Sequence, residues 1–188
     1  MSAVVQIPVF PLPDAVLFPH TLLPLHIFEP RYRQMVQDCL AGDKRLAMGL
    51  LKPGWEKDYY GRPPIHAIAG AGEIIRHEEL SDGRFNILVR GSMRIAIISE
   101  LPPDLPYRIV RAKPLPDRYP EGTPDALEMR VNRLKVFYLR ILAEVQKAQG
   151  EMAKIFVGIK DPGIIADRIA GAIIADTEAR QRILECVE

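Results

Sequence analysis

The sequence predicts an α+β protein, with a β-rich domain at residues 1–115 and a helical domain at residues 116–188. Three observations predict this class. Residues 67–113 alternate between apolar and polar positions, with turn residues between the segments, as strands do. Residues 115–124 are rich in proline and charge, which is typical of a linker. Beyond them, apolar residues recur at helical intervals.

The composition is that of an ordinary globular protein. The 188 residues are 48% hydrophobic and 26% charged, which excludes collagen-like, disordered and coiled-coil classes. Lys plus Arg number 25 and Asp plus Glu 24, so the formal charge of +1 gives no bulk argument for nucleic acid or an anionic membrane as partner. No apolar run reaches the ~18 residues of a membrane span, and the N-terminus lacks the pattern of a secretory signal. We therefore expect a cytoplasmic protein without a membrane partner.

The first segments are extended rather than helical. Residues 4–10 alternate and include β-branched side chains, and the prolines in and after them limit pairing, so we expect an edge strand that runs into an irregular segment. Residues 15–28 are apolar, but Pro19 and Pro24 interrupt them. Because proline in a helix interior removes a hydrogen bond and clashes with the preceding turn, this stretch is not a helix.

A helix, a strand and a long connection follow. The helix should begin at Glu29 or Pro30, because proline is favoured at the first helical position, and it should end at Gly42. Residues 45–51 predict a short strand. Residues 52–66 then form a long connection that holds a tryptophan and two tyrosines, and connections of this length often carry function.

The middle of the chain predicts a meander of strands. The predicted strands cover residues 72–80, 85–89, 95–101 and 107–112. A turn at residues 81–83 separates the first two strands, and Gly91 and Ser92 predict a second break. Hairpin connections of this kind indicate strands that pair in sequence order.

The last third of the chain predicts a bundle of helices. Thr123 can cap a helix that starts at Pro124 and runs for six or seven turns until Gly150. Residues 161–162, Asp-Pro, repeat this start signal for a second helix, and Thr177 opens a last short one.

Three stretches of sequence resemble a known family. The first is IPVFPLPD at residues 7–14, followed by VLFP at 16–19 and LPLHIFEPRY at 23–32. The second is LSDGR at 80–84 with ILVRGSMRI at 87–95, and the third is IADRIA at 165–170. In this order they resemble the Lon substrate-recognition domain family, the N-terminal domain of ATP-dependent Lon proteases, which also occurs as stand-alone bacterial proteins. The resemblance implies a PUA-like domain with a twisted antiparallel sheet or pseudo-barrel, then a helical bundle, and a role in recognising unfolded or tagged chains.

Motifs for catalysis, metal and cofactors are missing from the sequence. No Gly-Lys-Ser or Gly-Lys-Thr occurs, so the phosphate-binding loop of an ATPase is absent. The four serines lie in terminus, turn or strand contexts unlike a Ser–Lys peptidase site, and the four histidines are scattered. Cys39 and Cys186 predict two buried reduced thiols rather than a disulfide. We expect a non-enzymatic chain with no catalytic residue, metal or cofactor.

The first functional hypothesis is a binding module for unfolded or exposed-apolar polypeptides. An apolar groove would form from residues 15–28 and from the aromatic connection at residues 52–66. The candidate peptide contacts are Leu17, Phe18, Leu23, Phe28, Trp55, Tyr59 and Tyr60. The three aromatic residues of the connection could equally pin it onto the β domain. Such a module would be an adaptor or scaffold in protein quality control, with a separate ATP-dependent protease as a possible partner, and the sequence leaves clients and oligomeric state open.

The second hypothesis, from another class, is an RNA-binding PUA-like protein. Basic residues outnumber acidic ones across the predicted strands. The acidic residues of this stretch are Glu100 and Asp104, and the basic ones are Arg84, Arg90, Arg94, Arg108, Arg111 and Lys113. Alternating strands scatter such side chains over two faces, which favours a solvated surface. A stand-alone peptidase is the third and weakest hypothesis, because neither nucleophile nor base is recognisable.

Overall fold

The computed structural model describes residues 3–119, 124–144 and 152–188. The chain divides into two compact units, Met1–Pro116 and Asp117–Glu188. Among the described residues, the first unit holds six strands and one α-helix, and the second holds three α-helices. The α+β class predicted from the sequence is confirmed.

A single mixed sheet forms the first unit. Its elements are β1 (Val5–Leu12), β2 (Leu22–Ile27), α1 (Pro30–Ala41), β3 (Arg45–Leu50), β4 (Ile68–Glu79), β5 (Phe85–Glu100) and β6 (Arg108–Leu115). The strand order is β2-β5-β4-β3-β1-β6, and β6 pairs with β5 as well, so five strands close into a ring and β2 lies at the edge. All pairs are antiparallel except β1 with β3, which is parallel. The expected purely antiparallel sheet is therefore wrong at this pair, where β2 and α1 form the crossover that a parallel connection requires.

Strand β1 is not the edge strand that its prolines predict. It pairs with β6 through residues 5–9 and with β3 through residues 9–12. Pro8 lies opposite β6 only, and Pro11 lies opposite β3 only. The staggered pairing thus gives each proline one side without a partner strand, where its missing N–H costs no ladder hydrogen bond.

Strand β5 runs without interruption through Gly91 and Ser92, so the predicted break is wrong. Ala71 pairs with Met93 and Gly72 pairs with Gly91, which leaves Ser92 as the extra residue of a β-bulge. The Ser92 hydroxyl donates to the carbonyl of Ala71 at 3.1 Å. Because a bulge bends its strand, β5 can pair with β2 along its first half and with β6 along its second half.

Residues 15–21 cross closely over the sheet at two glycines. A side chain carbon at Gly70 would overlap the carbonyl of Leu17, and one at Gly91 would overlap the carbonyl of Phe18. The main chain of Gly91 makes two hydrogen bonds of 2.9 Å with this segment. The glycines therefore allow two stretches of backbone to approach within contact distance, which buries Leu17 and Phe18.

The core of the first unit has two clusters. The larger packs α1 against the sheet through Tyr32, Met35, Val36 and Cys39, which meet Phe10, Phe85 and other strand residues. The smaller is rich in small side chains and contains Ile7, Val9, Ala47, Ala69, Ala71, Ile95, Val110 and Ala112. The predicted helix from Pro30 to Gly42 is confirmed, with Pro30 in its first turn and Gly42 at its C-terminal cap.

The second unit contains α2 (Pro124–Glu144), α3 (Pro162–Ile173) and α4 (Thr177–Glu185). The predicted starts of α3 and α4 are confirmed, and α2 is helical from Pro124, the first described residue after 119. Asp161 caps α3 by accepting a hydrogen bond from the backbone N–H of Ile164 at 3.0 Å. Tyr138 and Leu142 of α2 pack against Ile165 and Ile169 of α3. The predicted cap at Thr123 and the predicted helix end at Gly150 lie outside the described residues.

The two thiols differ in exposure, and this difference predicts different reactivity. Cys39 is buried in α1, and burial raises the pKa of its thiol to about 12, whereas Cys186 follows α4 and is exposed. The expectation of two buried thiols is thus wrong for Cys186. Because the thiolate is the reactive form, we expect one thiol per native chain to react quickly with an aromatic disulfide at pH 8, and two in denaturant. Rapid reaction of both in the native state would contradict this arrangement.

Candidate functional site

A pocket of about 300 Å³ opens on the first unit. The start of α1, the connection at residues 52–66 and the connection at residues 101–107 form its walls. Four tyrosines line it, Tyr32, Tyr59, Tyr60 and Tyr107, together with four prolines, Pro11, Pro63, Pro103 and Pro106. Three arginines, Arg31, Arg62 and Arg108, complete the polar part of the lining. The lining of the pocket is therefore mostly aromatic and proline side chains, with three cationic groups.

One wall is held by Arg31 at the start of α1. Its Nε donates to Oε2 of Glu29 at 3.0 Å, and its guanidinium carbon lies 4.5 Å from the ring centroid of Tyr32 and 5.2 Å from that of Tyr59. The Tyr59 hydroxyl donates to Oε1 of Glu29 at 2.5 Å. Burial and this hydrogen bond raise the pKa of Tyr59, so the phenol stays a donor. Glu29 thus pairs with Arg31 and accepts from Tyr59, which ties the 52–66 connection to α1.

The other end of the same connection is held by Arg108 of β6. Arg108 is almost completely buried and pairs with Glu100, and its Nη1 donates to the carbonyl of Pro63 at 2.8 Å. Arg62 lies 3.6 Å from Oε2 of Glu100 and donates to the carbonyl of Leu101 at 3.2 Å. Since the connection is fixed at both ends, the pocket is formed before any ligand arrives.

The floor of the pocket is made by two tyrosines with buried rings. The Tyr107 hydroxyl donates to Oδ2 of Asp38 at 2.7 Å, and the Tyr32 ring lies 4.3 Å from that of Phe10. Burial raises the pKa of Tyr32 and of Tyr107, in the second case with the help of the Asp38 carboxylate. Both phenols therefore remain neutral, and the floor presents apolar ring surface.

Two of the three aromatic residues predicted in the 52–66 connection line this pocket, and the third packs against one of them. Tyr59 and Tyr60 line it, with ring centroids 5.2 Å apart. Trp55 packs edge-on against Tyr59 at 5.6 Å. Tyr60 is 88% exposed, so it extends from the wall into solvent. The connection is thus both packed onto the domain, through Tyr59, and open at its tip, through Tyr60.

The other predicted contact residues lie elsewhere. Leu17 and Phe18 are each 1% exposed, because residues 15–21 press against the sheet, so these two side chains are core residues rather than surface contacts. Leu23 on β2 is half-buried and packs against the larger core cluster. Phe28 is 60% exposed beside His26 and does not belong to the pocket lining. Leu17 and Phe18 therefore contribute no exposed surface to a binding site in this structure.

Sequence reasoning missed the wall formed by residues 101–107. Pro103, Leu105 and Pro106 line the pocket, and Leu105 is exposed. The signal that could have found them is the proline cluster just before the last strand, which resembles the proline-rich segment at the other wall. Only the pairing of β5 with β6 brings this segment beside Arg62.

Four of the six basic residues that suggested RNA are paired with a carboxylate or buried. Arg84 pairs with Asp82, Arg90 with Glu73 and Arg108 with Glu100. Arg94 is 5% exposed. Arg111 and Lys113 of β6 are exposed, so the basic groups of these strands are divided among carboxylate partners, the interior and solvent.

Among the residues that the structure describes, no helix has the length and apolar character needed to cross a membrane. Within the same residues, no three His, Cys, Asp or Glu side chains are grouped as a metal site would require.

The first unit thus combines a closed ring of strands, a crossover helix and a pocket whose walls are held by hydrogen bonds and ion pairs. Residues 6–188 match the family model described as the ATP-dependent protease La (LON) substrate-binding domain, and the chain belongs to this family. The resemblance drawn from the three stretches of sequence is confirmed.

Curated relatives are much longer than this chain. The Lon protease of Desulfosudis oleivorans is 25% identical over 182 residues, which cover 97% of this chain and 22% of the relative. The Lon protease of Desulfovibrio desulfuricans is 29% identical over 183 residues, which cover 95% of this chain and 20% of the relative. The chain thus spans about a fifth of the length of the relatives that it matches.

Solved structures show the same fold. The N-terminal domain of the Mycobacterium avium complex Lon protease superposes with a TM-score of 0.74 at 17% identity, covering 98% of this chain and 91% of that one. The Lon N-terminal domain protein from Xanthomonas campestris gives a TM-score of 0.67 at 21% identity, covering 98% and 92%. At these identities the likeness shows the fold alone.

Proposed function

We propose that this chain recognises unfolded or exposed-apolar polypeptides, and that the pocket of tyrosines and prolines is where it does so. The observation that carries the proposal is a preformed pocket whose rim keeps large apolar side chains in solvent, Tyr60 at 88% and Leu105 at 41% exposure. Aromatic side chains provide large contact area for the loss of few rotatable bonds. Membership of a substrate-binding domain family supports polypeptide as the ligand class.

The shape of the pocket suits a side chain from an extended segment. A volume of about 300 Å³ lies at the lower end of ligand sites and accommodates one or two large apolar side chains. The prolines of the walls have no backbone N–H groups. Few hydrogen-bond donors of the lining are therefore separated from water when an apolar side chain enters the pocket. Arg62 and the Tyr60 hydroxyl lie at the wall, where they can meet the carbonyls of an extended main chain.

The proposal extends to the setting of the protein. We infer a non-catalytic adaptor or scaffold in cytoplasmic protein quality control, whose clients are degraded by a separate ATP-dependent protease. The strand ring supports the PUA-like assignment of the first unit, and the packing of α2 on α3 supports a helical bundle in the second. RNA binding is the competing function, and it enters the test as a separate arm.

The test compares two labelled ligands by fluorescence anisotropy. The full chain is titrated with a permanently unfolded apolar polypeptide and with a single-stranded RNA, each at low and high salt. We expect saturable polypeptide binding that depends weakly on salt, because contacts to apolar surface are not screened. Tyr60→Ala should weaken it about 10-fold, as expected when a central aromatic anchor is removed. Since Tyr60 is almost fully exposed, the variant should keep the wild-type melting temperature.

A matched variant separates the pocket from the β2 surface. Phe28→Ala removes another exposed aromatic side chain that lies outside the pocket lining, and it should change the affinity less than 2-fold. Loss of binding in Phe28→Ala with none in Tyr60→Ala would move the site to β2. Steeply salt-dependent RNA binding without any response to the polypeptide would reject polypeptide recognition altogether.

A further inference from the structure

The outward face of α2 exposes an unusual amount of apolar surface. One face of this 21-residue helix packs Tyr138 and Leu142 against α3. Five large apolar side chains of the same helix are between 43% and 68% exposed: Met129, Val136, Phe137, Leu139 and Ile141. The helix is therefore apolar both where it packs on α3 and where it faces solvent. A contiguous exposed apolar surface on a helix marks a site of contact with another molecule.

Basic residues are mixed into this exposed face. Between residues 129 and 143 the helix carries Arg130, Arg133, Lys135 and Arg140, and its acidic residues, Asp125, Glu128 and Glu144, lie at its two ends. Glu144 follows Arg140 by four residues and falls on the same face. At about 100° per residue, Arg133 and Arg140 fall between Val136 and Phe137 on the side opposite Tyr138. The guanidinium carbon of Arg133 lies 5.4 Å from the ring centroid of Phe137. The outward face is therefore a stripe in which arginines alternate with apolar side chains.

We propose that this stripe docks an acidic amphipathic helix of a partner polypeptide. Carboxylates on such a helix would meet Arg133 and Arg140 while its apolar residues cover Val136 and Phe137. A second copy of the same stripe would bring like charges together, which disfavours self-association through this face. A membrane surface is also disfavoured, because the arginines lie inside the apolar stripe rather than along its borders. The inference concerns α2 and does not depend on the pocket of the first unit.

The experiment uses the full chain and a designed probe. The probe is a labelled 21-residue peptide with leucine at every third or fourth position and glutamate beside the leucines, and binding is followed by anisotropy. We expect saturable binding that falls at least 10-fold in the variant R133E/R140E. A peptide with lysine in place of glutamate should bind that variant better than it binds the wild-type chain. Arg90→Glu, an exposed charge reversal on the first unit, is the control and should leave probe binding unchanged.

Other outcomes would overturn the proposal. If a scrambled peptide of the same composition bound as tightly as the probe, the stripe would not be selective for an amphipathic helix. Binding to anionic lipid vesicles without binding to the peptide would assign the stripe to a membrane, and sedimentation showing a dimer lost in R133E/R140E would assign it to a second copy. Tyr60→Ala should leave probe binding intact, so failure of the pocket and failure of the stripe are distinguished. Circular dichroism of R133E/R140E checks that its helices form.

Discussion

Gly91→Ala should lower the free energy of unfolding of the first unit by about 3 kcal/mol or more. The added methyl group would overlap the carbonyl oxygen of Phe18, which is backbone and cannot rotate away. Gly91 also exchanges two main-chain hydrogen bonds with residues 20 and 21, so moving the segment breaks both. The segment carries Leu17 and Phe18 into the core, and any displacement exposes part of that apolar surface.

The matched control is Gly42→Ala at the end of α1. Here the nearest atom to the new methyl group is the Asp38 carbonyl oxygen at 3.4 Å, an ordinary contact, and the backbone has negative φ. We expect a change below about 1 kcal/mol at this site. Urea unfolding followed by tryptophan fluorescence reports the first unit, since Trp55 is the only tryptophan of the chain. Equal stability of the two variants would contradict the close crossing of residues 15–21 over the sheet.

Glu100→Ala should destabilise the first unit by about 2–4 kcal/mol. The substitution leaves the Arg108 guanidinium, whose side chain is only 7% exposed, without its carboxylate. A buried cation without a partner costs more than the pair contributes, because desolvation is no longer offset. Arg62 loses the same carboxylate, so the second end of the 52–66 connection is held only by the hydrogen bonds of Arg62 to Leu101 and of Arg108 to Pro63. Polypeptide binding should therefore fall together with stability.

Glu73→Ala provides the control for this loss. Glu73 pairs with Arg90 at 3.3 Å, and the two side chains are 47% and 58% exposed. A pair in solvent contributes about 0.2–1 kcal/mol, so this variant should be close to wild type and keep its affinity. Hydrogen exchange of residues 60–66 offers a second readout, which should accelerate in Glu100→Ala only. A Glu100→Ala chain as stable as Glu73→Ala would show that Arg108 tolerates the loss of its partner.

Local signals predicted the helices and several strands well. Pro30 and Pro162 mark helix starts through their fixed φ, which depends on neighbouring residues alone. The role of β1 could not be predicted in this way, because its prolines are accommodated by a stagger between two partner strands. The sequence interpretation of Gly91 as a break failed for a similar reason. A glycine that ends a strand and a glycine that allows another backbone segment to approach have the same local sequence pattern. Only the tertiary contact distinguishes them.

The candidate site was predictable only in part. Tyr59 and Tyr60 stand out as aromatic residues in a long connection, and that pattern is local. Leu17 and Phe18 have the same apolar, proline-interrupted context whether they are buried or exposed, so burial could not be read from the sequence. Leu105 joins the pocket because β6 pairs with β5 and because Arg62 reaches the carbonyl of Leu101, and both contacts are distant in sequence.

The most direct test of polypeptide recognition at this pocket is site-specific photocrosslinking. Tyr60 is replaced by benzoylphenylalanine, a photoreactive aromatic residue, and the chain is irradiated with a labelled unfolded polypeptide. The same replacement at Phe28 serves as the comparison, since both positions are exposed and aromatic. We predict crosslinks at position 60 that unlabelled polypeptide competes away, with few at position 28. Crosslinks confined to position 28, or none at position 60 under conditions where the polypeptide binds, would contradict the assignment of the pocket.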